Sequence, residues 1–132
     1  MGKLIATWSV AALLAGGVLI SGLSAHADED SKVLRHIVLY KFKDDLAPAD
    51  VQEVVDTFAA LPSKIDTIVD FEHGTNVSPE GKSEGLTHAF VVTFRDEASR
   101  DVYLKHPAHL EYVEVVRDRR EKVVVFDYWV DE

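Results

Sequence analysis

Four short runs of branched and aromatic residues mark the chain, with stretches of helical spacing between them. The first run, Val33 to Phe42, reads as a strand. A turn over Lys43 to Ala47 leads to Pro48, which suits a first helical position because the N–H it lacks has no partner there. Asp50 places an acid where the helix dipole favours one. Val51, Val54, Val55, Phe58 and Leu61 follow at i, i+3, i+4, i+7 and i+10, a single apolar stripe ending near Pro62. Thr67 to His73 reads as a second strand, and Gly74, Asn76, Ser78, Pro79, Gly81 and Gly85 make a long polar loop. A third strand runs from Thr87 to Phe94. Asp96 to Lys105 reads as a helix, Pro107 breaks it, and a further helix continues through Leu110, Tyr112, Val113, Val116 and Arg117. Lys122 to Val130 closes the chain as a fourth strand.

The order strand, helix, strand, strand, helix, strand, joined by right-handed crossovers, predicts a ferredoxin-like α+β sandwich with a four-stranded antiparallel sheet and helices on one face. Such a sheet should alternate apolar with polar if its second face met water. These strands do not. Ile37 and Leu39 oppose Val38, Tyr40 and Phe42; Ala89 and Val91 oppose Phe90, Val92 and Phe94; Val123 and Val125 oppose Val124 and Phe126. Both faces are apolar while the helices cover one. A second copy packed on the uncovered face, a homodimer, is therefore expected.

The 132 residues, 47% hydrophobic and 28% charged, suit one globular domain. Residues 1–27 differ from the rest. Lys3, an apolar run from Leu4 to Ile20 and the small residues Ala25 and Ala27 form the pattern of a signal peptide cut after Ala27. Retention of that run as a membrane anchor is the alternative. Residues 28–32 are then a short charged lead-in, residues 33–132 the domain, and the expected location is periplasmic or extracellular, with no stable membrane association after cleavage. Cleavage removes one lysine and no acid, so the net charge of −9 becomes −10. That surface repels phosphate backbones, which argues against nucleic acid as a partner. Without cysteine there are no disulfides, and the fold depends on its core and contacts.

Within this frame His36-Ile37-Val38-Leu39-Tyr40-Lys41-Phe42, Gly74-x-Asn76-x-Ser78, Thr87-His88, Tyr103-Leu104-Lys105-His106-Pro107-Ala108-His109 and Phe126-Asp127-Tyr128 occur in that order. Together they resemble the stress-responsive A/B-barrel (Dabb) family over about residues 33–130. The resemblance implies two ferredoxin-like subunits paired into one dimeric α/β barrel. The family includes olivetolic acid cyclase, which closes a linear polyketide by an aldol condensation without a cofactor. By that resemblance Tyr103 and His109 fall on the catalytic tyrosine and histidine, Asp127 on the acid that supports the histidine, and His36 and His88 on further pocket histidines. Phe58 is the aromatic residue on the helix that walls the pocket.

Those residue types suit the chemistry. An aldol closure needs a base to take a proton beside a carbonyl and a donor to steady the oxyanion; a neutral imidazole and a phenol can fill those roles. The competing reading of His109 is a fold-maintaining histidine bonded to Asp127, and Tyr103 can equally be core. His106 is expected to cap the following helix or face solvent, and His73 to lie at the surface. The antiparallel pairing of the first and third strands is expected to hold His36 and His88 apart, so they do not share a metal within one subunit. His106 and His109 are the local i, i+3 pair, but Pro107 interrupts the helix between them, and no zinc ligand set is recognisable. No cofactor is implied. Three functions fit: a pocket protein for a small, largely apolar molecule, a cofactor-free acid–base lyase or cyclase, or a structural dimer with no ligand. Convergent polar groups in the cavity distinguish the second.

Overall fold

A computed structural model describes residues 31–132. The expected export segment, its cleavage after Ala27 and the start of the charged lead-in lie outside the described residues. The elements run β1 (Lys32–Phe42), α1 (Pro48–Ala59), a 3₁₀ turn (Leu61–Ser63), β2 (Ile68–Thr75), β3 (His88–Phe94), α2 (Glu97–Lys105), α3 (Pro107–Arg117) and β4 (Arg120–Asp131). The strands form one antiparallel sheet in the order β2-β3-β1-β4. The ferredoxin-like architecture expected from the pattern is the one observed.

Alternation along β1 decides what each face carries. Leu34, His36, Val38, Tyr40 and Phe42 are buried toward the helices, and the residues between them are half-buried on the other side. Residues paired directly across an antiparallel ladder share a face. Phe90 and Val92 therefore join the helix side with Val38 and His36, while Val91 joins Ile37 on the outer side. Val91 thus lies on the outer face and Val38 on the helix side. Val124 and Phe126, opposite Leu39 and Ile37, extend the outer patch across β4, where Phe126 is 62% exposed.

The core lies between the helix side of the sheet and α1 and α3. Val54 and Phe58 from the α1 stripe, Leu61 from the 3₁₀ turn, and Tyr112 and Val116 from α3 bury themselves there. Phe58 stacks flat on Phe90, with centroids 4.3 Å apart.

The joint between α2 and α3 sets up the site. Asp96 starts α2 by accepting a hydrogen bond from the Ser99 N–H at 2.7 Å. A residue before proline avoids the helical region, and His106 is accordingly extended, with φ −66° and ψ 137°. Pro107 then opens α3, and the His106 ring accepts from the Ala108 N–H at 3.1 Å. His106 is thus a helix cap, as expected.

Candidate functional site

The break at His106 brings together, at a tilt of 46°, two rings that an unbroken helix would separate. Six residues of continuous α-helix would turn His109 far from Tyr103 around the axis. Across the joint their ring centroids are instead 4.3 Å apart. The joint also frees the Leu104 carbonyl, because the Ala108 N–H that would meet it in a continuous helix bonds His106 instead. The His109 ring fills that gap, with Nδ1 3.2 Å from the Leu104 oxygen. A carbonyl can only accept, so Nδ1 carries the hydrogen and Nε2 is the basic nitrogen. Burial pulls the His109 imidazole below its ordinary value of 6.5; the Leu104 contact opposes this and His36 adds to it. The ring is therefore neutral at pH 7.

Asp127 does not support His109, contrary to the expectation carried by the resemblance. Its Oδ1 lies 2.7 Å from His36 Nδ1, and its Oδ2 accepts from Arg100 at 3.0 Å. The reason is register. His36 and Asp127 are direct partners across β1 and β4 and so project from the same face, whereas the joint turns the Nδ1 edge of His109 toward the C-terminal end of α2. The carboxylate accepts from His36, which leaves Nε2 as the basic nitrogen of that ring whenever it is neutral. His36, the fifth residue of β1, is buried in mid-strand.

Tyr103 contacts both imidazoles: its ring centroid is 5.7 Å from that of His36, edge to face, as well as 4.3 Å from that of His109. Burial pushes its phenol well above the ordinary 10.0, and Tyr40 and Asp127 push it further. It stays protonated, a hydrogen-bond donor, throughout the neutral range.

All of these groups line one cavity of about 430 Å³. His36, Tyr103, His109, Asp127 and Arg100 form its polar side, and Val38, Phe58, Leu104, Val113, Val123 and Val125 its apolar walls. Tyr40, Tyr112 and Arg120 complete the lining. The cavity thus brings together five of the six residues singled out from the sequence. His88 stands apart. It pairs with Tyr40, four residues along β1 from His36, which is about 13 Å of strand. It lines a second cavity of about 330 Å³ under the β2–β3 loop, with Nδ1 2.8 Å from Thr87 Oγ1. His73, two residues before the end of β2, is exposed, as expected.

Four polar lining residues escaped the sequence reading of the site. Arg100 stands three residues before Tyr103, a spacing that shares a helix face. Tyr40 stands four after His36, which shares a strand face. Tyr112 donates a buried hydrogen bond to the Tyr40 hydroxyl at 2.7 Å. Arg120, at the start of β4, carries no periodic signal. Among the described residues no cluster of three or more His, Cys, Asp or Glu side chains is arranged to hold a metal ion.

Residues 34–130 match the family model described as the stress responsive A/B barrel domain. The chain is 35% identical to olivetolic acid cyclase of Cannabis sativa over 95 residues, 72% of this chain and 94% of the cyclase. Its fold superposes on a hydroxynitrile lyase from Passiflora edulis with a TM-score of 0.72 at 26% identity, covering 77% of this chain and 96% of the lyase. A dimeric protein of unknown function and ferredoxin-like fold from Bacteroides fragilis is similar at a TM-score of 0.60 and 29% identity, over 73% of this chain and 94% of the other.

Proposed function

The chain belongs to the stress-responsive A/B-barrel family, and we propose that it is a cofactor-free acid–base enzyme of lyase or cyclase type, acting on a small, largely apolar carbonyl compound or its adduct. One observation carries this reading: two imidazoles of fixed hydrogen placement and a phenol that stays protonated through the neutral range converge on one apolar-walled cavity. Convergent polar groups are what separates an acid–base site from a plain binding pocket.

His109 Nε2 is the base. It is neutral at pH 7, and the pull on its proton affinity comes from burial, which strengthens as a ligand excludes water. The base takes a proton from the carbon beside a carbonyl, or from the hydroxyl of a carbonyl adduct. The electron pair moves onto the carbonyl oxygen in the first case. In the second it re-forms the carbonyl and expels the leaving group, which takes a proton back. Tyr103 donates to the oxygen on which charge changes, and His36, held by Asp127, is the second proton carrier. The similarity to olivetolic acid cyclase and to a hydroxynitrile lyase supports a reaction of lyase or cyclase type.

Two further features belong to the same proposal. The protein is exported, on the pattern of residues 1–27, and it works as a homodimer in which a second copy covers the outer sheet face around Val91, Val124 and Phe126. A similar protein described as dimeric supports the pairing.

The test uses two probes with the purified protein: release of benzaldehyde from mandelonitrile, and exchange of the α-hydrogens of heptan-2-one for deuterium. Turnover of either above the buffer rate, reduced about a hundredfold or more in His109→Gln and Tyr103→Phe, is expected. If neither probe reacts while heptan-2-one still binds, the cavity is a binding pocket and the enzymatic reading falls.

A further inference from the structure

The two ends of the cavity differ in charge. At the His36 end, Asp127 is held by both His36 and Arg100, so acid and base cancel there. Arg100 is further held by Asp101 at 3.2 Å. At the Tyr40 end stands Arg120. Its neighbour Arg119 is engaged by Glu53 at 2.6 Å and by Asp50 at 3.9 Å, and the adjacent Glu121 is engaged by Lys41 at 2.9 Å. Arg120 itself has no carboxylate within 4.0 Å among the described residues. In a chain with 23 acidic side chains against 14 basic ones, this cavity-lining arginine thus keeps a charge that no acid offsets among the described residues.

A second donor stands beside it. Tyr112 gives its proton to the Tyr40 oxygen, so the Tyr40 hydroxyl keeps its own proton for a further acceptor. The Arg120 guanidinium cannot accept that proton. Burial pushes the Tyr40 phenol up, and the Tyr112 hydrogen bond, then Arg120 by its charge and as a donor to the phenol oxygen, draw it back. Arg120 and Tyr40 thus offer a charged fork and a hydroxyl, both donors, at one end of an apolar channel. A monoanion with planar oxygens fits that pair.

We propose that Arg120 and the Tyr40 hydroxyl form an anion subsite, so that the molecule bound in the cavity carries a carboxylate on an apolar arm, held at the end remote from His36 and Asp127. The substrate class is an apolar acid with its reactive carbonyl placed several carbons from the carboxylate. His36 and Tyr40 are four residues apart on one strand face, about 13 Å between backbones, which sets the arm at a medium length. This inference rests on the cavity reading above but not on its catalytic part, since it concerns binding alone.

Equilibrium binding of octanoate, octanamide and octan-1-ol to the full protein, measured by calorimetry at low salt, tests it. Octanoate should bind at least about tenfold more tightly than either neutral compound. That preference should vanish in Arg120→Gln, weaken in Tyr40→Phe and persist in part in Arg120→Lys, which keeps the charge without the fork. His109→Gln and Tyr103→Phe should retain the full preference even where turnover is lost, which separates a failed subsite from a failed mechanism. Equal affinity for acid and amide, no binding of any of the three, or a preference unchanged in Arg120→Gln overturns the subsite. Matching circular dichroism of each variant to the parent excludes misfolding as the cause.

Discussion

His36 and Asp127 face each other across β1 and β4, with Nδ1 and Oδ1 2.7 Å apart, and Arg100 holds the second carboxylate oxygen. A strand pair thus fixes an imidazole, and a helix pins the carboxylate that fixes it.

Replacing Asp127 by Asn should therefore release Arg100 and loosen His36 together. Because the carboxylate is partly exposed, the expected cost is modest, about 1–2 kcal/mol of unfolding free energy. Urea unfolding reads the stability, and imidazole nitrogen shifts read the ring. In the parent, His36 should show one tautomer when neutral; in the variant, a mixture. An unchanged nitrogen pattern would mean that Asp127 does not set the ring.

Three of the four tyrosines, Tyr40, Tyr103 and Tyr112, have phenols raised above 10.0, each chiefly by burial. In the unfolded chain they would ionise near that value. The folded form keeps its protons to higher pH, so the stabilisation is full below about pH 10 and is lost as pH rises beyond it. Spectrophotometric titration should show these three phenolates appearing together with alkaline unfolding. Smooth ionisation of all four tyrosines near pH 10 in the folded protein would contradict their burial.

His109 and His88 have the opposite sign. Burial lowers both below 6.5, so the folded form binds protons less readily than the unfolded chain. Their contribution is present above about pH 6.5 and is lost as pH falls through the folded values. Urea midpoints should drop between pH 7.5 and pH 5.5, and the His109 ring signals should titrate below 6.5 by nuclear magnetic resonance. A midpoint above 6.5 would remove the neutral base on which the chemistry depends.

Phe126, exposed on the outer face of a single chain, reports on pairing without disturbing the core. Sedimentation of the parent should give twice the chain mass, and Phe126→Lys should shift it to one chain with its helices intact. Val91→Lys, further toward the middle of the same face, should act likewise. A parent that sediments as a single chain at micromolar concentration would leave the outer patch unexplained.

Much of this was legible beforehand because strands and helices write their periods into the sequence. Alternation in β1 set Val38 against Ile37, and the stripe through Val54 and Phe58 placed α1 on the core. Proline chemistry placed the α2–α3 joint and the cap at His106. The partner of Asp127 was not legible. It depends on the pairing of His36 with Asp127 across β1 and β4, separated by 91 residues, and no local pattern records that. Arg120 escaped for a related reason: it starts β4 beside an irregularity in the ladder near Phe42, where the count of two per repeat slips.

The kink at Pro107 has an evolutionary side. Because three residues and one carbonyl set the meeting of Tyr103 and His109, descendants can lengthen or recompose either helix at its far end without moving the two rings. One residue inserted between Leu104 and His109 would swing the imidazole by about a quarter turn. The scaffold is therefore free to change what it holds while keeping how it holds it.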